Sequence, residues 1–490
     1  MSDTPMPDDA ARYRLWIDGA ECDPLGNEWF PTENPYTSET WAYVARGGAA
    51  DVDKAVEAAD RALHEGEWPR MRPRLRGEIL FRLARLIDDN VEVLAQAEIR
   101  DNGKSITEVR AQIENLRWVY QYYAGLADKI EGKTIPVDDA KMFVYTRYEP
   151  VGVVAAITPW NSPLRLLGLK LAPALAAGAT MVIKPSEYTS TSTLEFMRLI
   201  AEAGVPAGVV NVVTGFGEEA GAPLASHPKV AKISLTGGVE AGMRAYDAAA
   251  KGIKSLTLEL GGKSANIIFA DADLDRAIPA AASGIFGSTG QTCVAGSRLL
   301  VHEDVCDQVT EGVRVLAEKR RLGNPLDPAT EMGPAANRAQ FDKIMSYVDH
   351  GKEDGARLVT GGKRAGGPDL DRGLFIEPTV FADVTRTMRI AREEIFGPVL
   401  SIIPFSSDQE AVEIANEVDF GLASAVWTRD LPRAHRIAHQ IRAGSVWVNG
   451  YRQNDPMVPV GGYKMSGLGR ESGADMIKQY LEEKAVWINY

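Results

Sequence analysis

Apolar residues recur at every third or fourth position between Ala49 and about Ala127, and this spacing predicts amphipathic helices. The clearest segments are DVDKAVEAADRALHEG and RGEILFRLARLIDDNVEVLAQAEI. Before them, LWIDGAE is typical of a strand and a turn. After them, FVYTRYEPVGVVAAITPW has a strand-like period and is interrupted by Gly152 and Pro159. The pattern therefore predicts a mainly helical region followed by a region of strands.

Beyond Ala155, short apolar runs alternate with helix-like segments such as STLEFMRLIAEAG. The runs are ATMVIKP, GVVNVVTG, VAKISLTG, SLTLELGG and SANIIFA. Such alternation is typical of a parallel sheet covered by helices on both faces. A second alternating series extends from SRLLVHED to AGSVWVNG, around Val446. The sequence thus predicts an α/β fold with two units that meet near Gly261 and Gly262.

Composition narrows the class of protein. A chain of 490 residues, 45% of them hydrophobic, is too long for one core, so we expect two or three domains. The net charge of −13 disfavours nucleic acid or an anionic membrane as the main partner. The acidic opening MSDTPMPDDA does not resemble a signal peptide, and no apolar run reaches the roughly 18 residues that a membrane span needs.

The chain has three cysteines, Cys22, Cys293 and Cys306. They are too few for a disulfide framework, and an odd number of cysteines cannot all pair. A reducing, cytoplasmic location is therefore expected. Cys306 lies in EDVCDQVTEGV, on a predicted helix face, and we interpret it as structural. Cys22 is predicted to lie in a polar turn and to be inert.

Two predicted strands lead directly into glycines. GVVNVVTGFGEEAG contains Gly215, Gly217 and Gly221, and SLTGGVEAG contains Gly237 and Gly238. A glycine turn between a strand and a helix exposes backbone N–H groups, which suits a phosphate. The first spacing is not G-x-G-x-x-G, so a phosphate-binding loop and a plain tight turn both fit it.

A third strand, in MVIKPSE, ends with Lys184 and is followed by Glu187. Ligands of α/β sheets bind at the carboxyl ends of strands. A ribose contact for Glu187 and an ordinary solvated loop are both compatible with this pattern.

Cys293 lies in FGSTGQTCVAGSR among small residues, which leave a ligand room to reach the sulfur. A nucleophilic thiolate needs such access. Glu259 interrupts the apolar strand TLELGG, either as part of a structural pair or as a base with a raised pKa. Asn161 ends another strand in ITPWNSP, either as a donor to a developing oxyanion or as a turn residue before Pro163.

Six motifs occur together in one order: ITPWNSP, VIKPSE, LELGGKS, GQTCVAGSR, EEIFGPV and PVGGYKMSGLGRE. In this combination the chain resembles the aldehyde dehydrogenase superfamily over nearly its whole length. The resemblance implies a Rossmann-like cofactor domain (residues 1–126 and 150–261) and an α/β catalytic domain (262–461). It also implies a β-strand oligomerisation arm and tail (127–149 and 462–490).

The implied activity is oxidation of an aldehyde to the carboxylic acid with NAD, through a cysteine thiohemiacetal and a thioester. The implied assembly is a homodimer or homotetramer, and the terminal strand VWIN would help to form it, since an exposed edge strand seeks a partner. A carboxylate at position 187 repels a 2′-phosphate and so favours NAD, although Lys184 could offset this and allow NADP.

The resemblance also assigns roles by motif. Cys293 is the implied nucleophile, Asn161 with the Cys293 backbone N–H forms the oxyanion hole, and Glu259 is the general base. Lys170 and Glu471 match positions of a proton relay. Lys184 and Glu187 would hold the adenosine ribose. The full set of implied cofactor contacts is Ile157, Thr158, Trp160, Lys184, Glu187, Gly217, Gly221, Gly237, Gly238, Leu260, Glu394 and Phe396. No metal site is expected.

The chain departs from the family pattern at several positions. Gly238 replaces a frequent serine and so removes one hydroxyl contact to the pyrophosphate. Ser162 and Val460 stand where bulky aromatics are common, so we expect a wider or more polar substrate than a simple aliphatic aldehyde. Four further residues lie either near the substrate entrance or at an ordinary surface: Arg165, Tyr451, Arg452 and Asn454.

Three alternative functions remain open at this stage. A CoA-acylating dehydrogenase would release the thioester to CoA, and the presence of Glu259 argues against it. A thiol esterase or hydrolase would use Cys293 without redox chemistry. A non-catalytic protein with the same fold is disfavoured because Cys293, Glu259 and Asn161 are all present.

Overall fold

The computed structural model describes residues 10–490. The opening segment, which is expected not to be a signal peptide, lies outside the described residues except for its last position. Fourteen α-helices lie within residues 10–490, and their bounds are α1 (Ala49–His64), α2 (Pro73–Asp89), α3 (Val91–Asn102), α4 (Ile106–Leu126), α5 (Pro163–Ala177), α6 (Thr191–Glu202), α7 (Ala222–Ser226), α8 (Val239–Gly252), α9 (Leu274–Phe286), α10 (Cys306–Lys319), α11 (Arg338–Glu353), α12 (Arg389–Arg392), α13 (Asp408–Asn416) and α14 (Leu431–Gln440).

The strands of the same range are short, and most have five residues or fewer. Their bounds are β1 (Arg12–Tyr13), β2 (Leu15–Ile17), β3 (Ala20–Cys22), β4 (Trp29–Asn34), β5 (Glu39–Ala45), β6 (Thr134–Ile135), β7 (Met142–Pro150), β8 (Val153–Ile157), β9 (Thr180–Lys184), β10 (Val210–Val212), β11 (Val230–Thr236), β12 (Ser255–Glu259), β13 (Ala265–Ile268), β14 (Arg298–His302), β15 (Arg357–Thr360), β16 (Thr379–Ala382), β17 (Val399–Phe405), β18 (Phe420–Gly421), β19 (Ala423–Trp427), β20 (Ser445–Val448), β21 (Tyr463–Lys464), β22 (Gly467–Leu468) and β23 (Leu481–Asn489).

The first large sheet has the strand order β22-β12-β11-β8-β9-β10-β2-β3. Its five central strands, β12 to β10, are parallel. Because side chains alternate along a strand, β8 sends Val154 and Ala156 to the core with α2 to α6. Val153 and Ala155 instead pack on the opposite face, with α1, α7 and α8. Helices therefore cover both faces, as the apolar runs predict.

The second large sheet has the order β15-β16-β17-β14-β13-β19-β20 and is parallel except for the β15–β16 pair. One face packs against α11, α13 and α14, and the other against α9 and α10. The chain passes from the first sheet to the second between Glu259 and Ala265, around the predicted junction at Gly261 and Gly262. The predicted α/β fold class is confirmed.

A smaller antiparallel sheet, β23-β7-β6, contains the end of the chain. The strand β23 pairs with β7 along nine residues, from Leu481 opposite Pro150 to Asn489 opposite Met142. The strand expected at VWIN is thus present and is longer than expected. β23 lies at the edge of the sheet, and the large side chain of Trp487 is 60% exposed.

Local sequence explains the position of α5, which carries several of the predicted site residues. Pro163 occupies the first turn, where its missing N–H removes no helical hydrogen bond. Gly178 ends the helix with a left-handed φ of 92°, which glycine adopts without a Cβ clash. One expectation is wrong: Cys22 ends strand β3, not a turn, because the turn at Asp18 and Gly19 joins β2 and β3 into a hairpin.

Candidate active site

The carboxyl ends of adjacent parallel strands bring distant residues to one edge of the first sheet. Ile157 at the end of β8 pairs with Lys184 at the end of β9 and with Leu235 of β11. Thr236, the next residue of β11, pairs with Glu259 at the end of β12. This edge is where open α/β sheets bind ligands.

The segment before Cys293 has a strained backbone. Ser288 and Thr289 have φ values of 54° and 56°, a left-handed conformation that costs side-chain-bearing residues on the order of 1–3 kcal/mol each. Tertiary contacts maintain it: the Ser288 N–H donates to Glu108 Oε1 at 2.7 Å, and the Thr289 hydroxyl donates to the Gly333 carbonyl at 3.0 Å. The residues leading to Cys293 are therefore held by elements remote in sequence.

The Cys293 thiol is free and half-buried. Burial raises its pKa to about 11, and the Glu259 and Glu394 carboxylates contribute to the increase, while the Arg165 guanidinium lowers the pKa. These effects place three predicted or candidate site residues around one sulfur. A Cβ on Gly262 would lie 2.5 Å from the Cys293 carbonyl oxygen, so this close approach requires glycine.

Asn161 is buried and is held at both of its ends. Its side-chain amide donates to the Gln291 carbonyl at 3.0 Å, two residues before Cys293. Its backbone carbonyl accepts from Lys104 Nζ, which also donates to the Ser162 hydroxyl at 2.6 Å. Asn161 therefore lies beside the segment that carries Cys293, a position that an oxyanion donor requires.

Lys104 and its partner Glu98 are functional candidates that the sequence analysis missed. Burial lowers the pKa of Lys104, and the nearby Glu98 carboxylate opposes this effect. Glu98 is itself fully buried on α3, four residues after the buried Leu94. A carboxylate on an apolar helix face was the available signal, whereas Lys104 in DNGKS looks like an ordinary loop lysine.

Glu259 is a buried carboxyl, and its Oε1 atom is fully enclosed. Burial raises its pKa well above the usual value, the Glu471 carboxylate raises it further, and Lys170 and Arg470 oppose the increase. Within residues 10–490 its Oε1 atom has no hydrogen-bond partner, and a Cβ on Gly461 would lie 2.8 Å from it. A buried carboxyl with a raised pKa next to a thiol suits acid–base chemistry.

Behind Glu259 lies the buried ion pair of Lys170 and Glu471. Lys170 Nζ also donates to the Thr236 hydroxyl at 2.7 Å. The structure thus brings both residues of the expected relay beside the expected base. Another buried lysine, Lys232, was missed by the sequence analysis because it lies in an apolar strand with no motif around it.

The edge of the first sheet also fits a dinucleotide. Lys184 Nζ lies 3.2 Å from Glu187 Oε2, and burial lowers the pKa of Lys184. The buried Thr158 hydroxyl has no hydrogen-bond partner in the described part of the chain. A Cβ on Gly217 or on Gly238 would meet no atom within 4 Å, so open space lies beside both glycine loops. Unsatisfied polar groups and an accessible backbone are what a bound ribose and pyrophosphate require.

The two glycine loops differ in form. Gly217–Gly221 forms a single π-helical turn before the short helix α7. Gly237 donates its N–H to the Glu259 carbonyl at 3.0 Å, and Gly238 precedes the fourteen-residue helix α8. The second loop therefore has the better developed helix N-terminus.

The predicted contacts at the nicotinamide end lie on the wall facing Cys293. Glu394 Oε1 accepts the Gly262 N–H at 2.8 Å, and burial raises the pKa of Glu394. The Phe396 ring meets Trp160 edge to face at 5.2 Å, and the Phe396 backbone has a left-handed φ of 59°. Leu260 is buried beside this wall. A strained aromatic residue held against a second ring gives this wall a defined shape.

Three of the four candidates for the substrate entrance lie near Cys293. The Arg165 guanidinium lowers the pKa of the Cys293 thiol, and the Tyr451 hydroxyl donates to the Val294 carbonyl at 2.8 Å. Arg452 follows Tyr451 and is partly buried, whereas Asn454 is exposed and its side-chain amide donates to the Arg452 carbonyl at 3.5 Å. The surface interpretation therefore applies to Asn454.

Two other kinds of site were sought in residues 10–490. No group of three or more His, Cys, Asp or Glu side chains in this range is placed to bind a metal ion. None of the helices described here has the length and apolarity needed to cross a membrane.

A free thiol close to a buried carboxyl, next to a sheet edge that fits a dinucleotide, is typical of oxidoreductases that use covalent thiol chemistry. Comparison with known proteins identifies the group within that class. The sequence model of the aldehyde dehydrogenase family matches residues 23–486. The chain belongs to the aldehyde dehydrogenase family.

Its relatives match it over nearly the whole length. A putative aldehyde dehydrogenase of Bacillus subtilis, DhaS, is 46% identical and aligns over 97% of this chain and 95% of its own. Retinaldehyde dehydrogenase 3 of Rattus norvegicus is 45% identical, over 97% of this chain and 92% of its own. The resemblance inferred from the six motifs is confirmed.

Solved structures agree with this assignment. A betaine aldehyde dehydrogenase of Staphylococcus aureus in complex with NAD⁺ has a TM-score of 0.96 and 39% identity, with 98% of this chain and 95% of that chain covered. An aldehyde dehydrogenase of Bacillus cereus, also an NAD⁺ complex, has a TM-score of 0.95 and 42% identity, with 98% and 96% covered.

Proposed function

We propose that this protein oxidises an aldehyde to the carboxylic acid with NAD, with Cys293 as the nucleophile. The observation that supports the proposal is the surroundings of Cys293: the Asn161 amide donates to the Gln291 carbonyl two residues away, and the buried Glu259 carboxyl is close enough to raise the pKa of the thiol. The NAD⁺ complexes of the S. aureus and B. cereus enzymes support the choice of cofactor.

The first step forms a bond between sulfur and the aldehyde carbon. The Cys293 thiol gives up its proton and adds to the carbonyl, which produces a thiohemiacetal. Negative charge then develops on the carbonyl oxygen, where the Asn161 side chain and the Cys293 N–H donate to it. Glu259 is the neighbouring proton acceptor, because its raised pKa brings its basicity closer to that of the thiol.

The cofactor is held by residues along the sheet edge. Glu187 and Lys184 would hold the adenosine ribose, and the open backbone at Gly217 and Gly238 would approach the pyrophosphate. NAD, when bound, supplies the acceptor for the hydride that leaves the substrate carbon, after which the acyl group remains on sulfur as a thioester. Because Glu187 repels a 2′-phosphate, we propose NAD as the main cofactor.

The last step releases the acid. Glu259 takes a proton from water, the resulting hydroxide attacks the thioester carbon, and the carbon–sulfur bond breaks. The sulfur leaves as thiolate and is protonated again. Lys170 and Glu471 lie where they would pass the proton of Glu259 onwards.

The test compares Cys293→Ala with Cys306→Ala, which removes another half-buried free thiol. Cys293→Ala is expected to lower NADH production from aldehydes by at least about a thousandfold, since the covalent step is lost. Its affinity for NAD⁺, measured by calorimetry, and the activity of Cys306→Ala are expected to stay close to wild type. Full turnover by Cys293→Ala would refute the nucleophile assignment.

Product analysis separates the alternative functions. The proposal expects the free acid and one NADH per aldehyde. An acyl-CoA product that appears only with added CoA would instead indicate an acylating enzyme. Hydrolysis of an activated ester, with no NADH from any aldehyde tested, would indicate a thiol esterase.

The organisation of the whole protein is also part of the proposal. The two large sheets support a cofactor domain of residues 1–126 and 150–261 and a catalytic domain of residues 262–461. The remaining segments, 127–149 and 462–490, form the arm and tail, whose exposed edge strand supports a homodimer or homotetramer. The unpaired cysteines support a cytoplasmic location.

A further inference from the structure

Among the residues that the structure describes, one guanidinium near Cys293 has no carboxylate partner. Arg165 lies in the first turn of α5, four residues after Asn161, and it is half-buried. Within residues 10–490 it forms neither an ion pair nor a hydrogen bond. Burial lowers its pKa, and the acidic group with the largest opposing effect is the Cys293 thiol. A guanidinium whose N–H donors are free beside a thiol is available to an anionic ligand.

The charges that face Arg165 do not neutralise it. Lys104 and Arg452 are cations, and each lies close enough to Arg165 to affect a pKa. Two carboxylates of this cluster belong to Glu98 and Glu108, and both raise the pKa of Lys104.

Arg452 has a nearby carboxylate of its own. A Cβ on Gly287 would lie 2.6 Å from Arg452 Nη1 and 3.4 Å from Glu108 Oε1, so these two charges are neighbours. The remaining acidic group near Arg165, Glu471, is already paired with Lys170. Two carboxylates thus face three cations, and Arg165 is the cation that lacks a partner.

The backbone around this cluster is held rigidly. Arg452 has a left-handed φ of 65°, and the preceding Tyr451 is anchored by its hydroxyl to the Val294 carbonyl. On the other side, Lys104 Nζ holds Ser162, three residues before Arg165. A strained and anchored loop facing a helix N-terminal turn is expected of a binding site and not of a solvated surface.

We propose that the aldehyde substrate carries a carboxylate at the end remote from its carbonyl, and that Arg165 binds this carboxylate while the carbonyl lies at Cys293. The inference rests on the proposed function and specifies its substrate class. A guanidinium binds a carboxylate through two parallel N–H donors, so Arg165 would orient the substrate as well as neutralise it. Arg452 adds a second positive charge at the same entrance.

Arg165 also lowers the pKa of Cys293, which is a competing explanation for its position. If this were its only role, removing it would slow the oxidation of every aldehyde equally. The substrate role instead predicts a loss of kcat/KM that depends on the charge of the aldehyde. The ratio of kcat/KM for two aldehydes of equal length therefore distinguishes the two roles.

The experiment uses the full-length enzyme with NAD⁺ and compares 4-oxobutanoate with butanal, and 5-oxopentanoate with pentanal. Wild type is expected to prefer the carboxylated aldehyde of each pair at least about tenfold in kcat/KM, as a charged hydrogen bond of about 1.5–3 kcal/mol implies. Arg165→Met is expected to lower this ratio by about 10- to 100-fold, and Arg165→Lys by less, since lysine keeps the charge but loses the paired donors.

Arg74→Met is the matched control, because Arg74 lies in the first turn of α2, which also begins with proline, and it is largely exposed. Its ratio is expected to equal that of wild type. Equal losses for both aldehydes in Arg165→Met would overturn the substrate inference and leave the proposed function intact. Failure of wild type to oxidise any of the four aldehydes with NAD⁺ would overturn the substrate inference. If a broader aldehyde screen also failed, the result would count against the proposed function as well.

Two measurements on wild type keep the inference testable if the variants do not fold. Succinate and glutarate are expected to inhibit butanal oxidation competitively, whereas the uncharged diamide of succinate is not. The kcat/KM for 4-oxobutanoate is expected to fall with added salt more steeply than that for butanal, because salt screens the attraction. No inhibition by either dicarboxylate, together with equal salt dependence, would overturn the inference.

Discussion

At the scale of single residues, the reactivity of Cys293 depends on charges that are distant in sequence. Glu259 and Glu394 raise the pKa of the thiol beyond the effect of burial, and Arg165 lowers it. The small neighbours in GSTGQTCVAG allow access to the sulfur, but they do not determine its proton affinity. A residue whose chemistry looks local is therefore controlled by three other segments of the chain.

This environment predicts a steep pH dependence for alkylation of Cys293. A pKa raised from 9.0 to about 11 leaves roughly a hundredfold less thiolate at pH 7 than in a free cysteine, and the thiolate is the reactive form. In the enzyme without cofactor, the rate of iodoacetamide labelling should rise about tenfold per pH unit from 7 to 9, as measured by mass spectrometry of the Cys293 peptide. A rate that levels off near pH 8 would contradict this assignment.

Glu259 is predicted to act mainly in the release of the acid. In Glu259→Gln the carboxylate that would activate water is lost, so steady-state turnover should fall by about 10²- to 10⁴-fold. Intact-protein mass spectrometry after mixing with aldehyde and NAD⁺ should show an acyl group on Cys293. Unchanged turnover, with or without a trapped acyl group, would exclude Glu259 as the base.

At the scale of elements, the ion pair of Lys170 and Glu471 joins α5 to the segment that follows β22. Both side chains are fully or almost fully buried, and the pair contacts the end of β11 through Thr236. Desolvation makes a buried pair a small net contributor to stability, but loss of one partner leaves an isolated charge. The pair therefore ties the helix, the strand and the segment after β22 together behind Glu259.

We predict that Lys170→Met lowers the free energy of unfolding by about 3–5 kcal/mol, because Glu471 remains buried without its partner. The double variant Lys170→Met/Glu471→Leu should regain most of this loss. Urea denaturation followed by circular dichroism measures both. The matched control is Lys251→Met, which breaks an exposed pair with Asp247 and should change stability by no more than about 0.5 kcal/mol. Equal denaturation midpoints for Lys170→Met and Lys251→Met would refute the argument.

At the scale of the whole molecule, the antiparallel sheet of β23, β7 and β6 presents an unpaired edge and exposed apolar side chains. Trp487 and Ile488 are 60% and 42% exposed on β23. An edge strand of nine residues with exposed aromatic and aliphatic groups favours pairing with another chain. This surface carries the proposal of a homodimer or homotetramer.

The corresponding variant is Trp487→Glu/Ile488→Lys, which places charges on the exposed edge strand. Light scattering at micromolar concentration should show a smaller mass than wild type, because the charges would be desolvated in an interface. Leu431→Lys, at an equally exposed leucine of α14, should leave the mass unchanged. A wild type that is already monomeric would contradict the proposed assembly.

Much of this architecture is predictable from local pattern. The change from a helical to a strand-like period after α4, and the alternation of strands and helices beyond Ala155, depend only on neighbouring residues, and the structure confirms both. Several residues near the site have no recognisable sequence signal and could not be found in this way. Lys104, Glu108 and Lys232 lie in segments without a motif, and their importance comes from contacts with Asn161, Ser288 and Thr257.

The sequence by itself determined the types and order of the elements, the strand ends that carry Lys184 and Glu259, and the family to which the chain belongs. These depend on periodicity and on short motifs, which are properties of adjacent residues. Only the tertiary structure decided which charges surround Cys293, that Arg165 lacks a carboxylate partner, and that Glu259 is buried against Gly461. Burial and electrostatic interaction depend on distance in space, and the groups concerned are far apart along the chain, as Arg165 and Cys293 are.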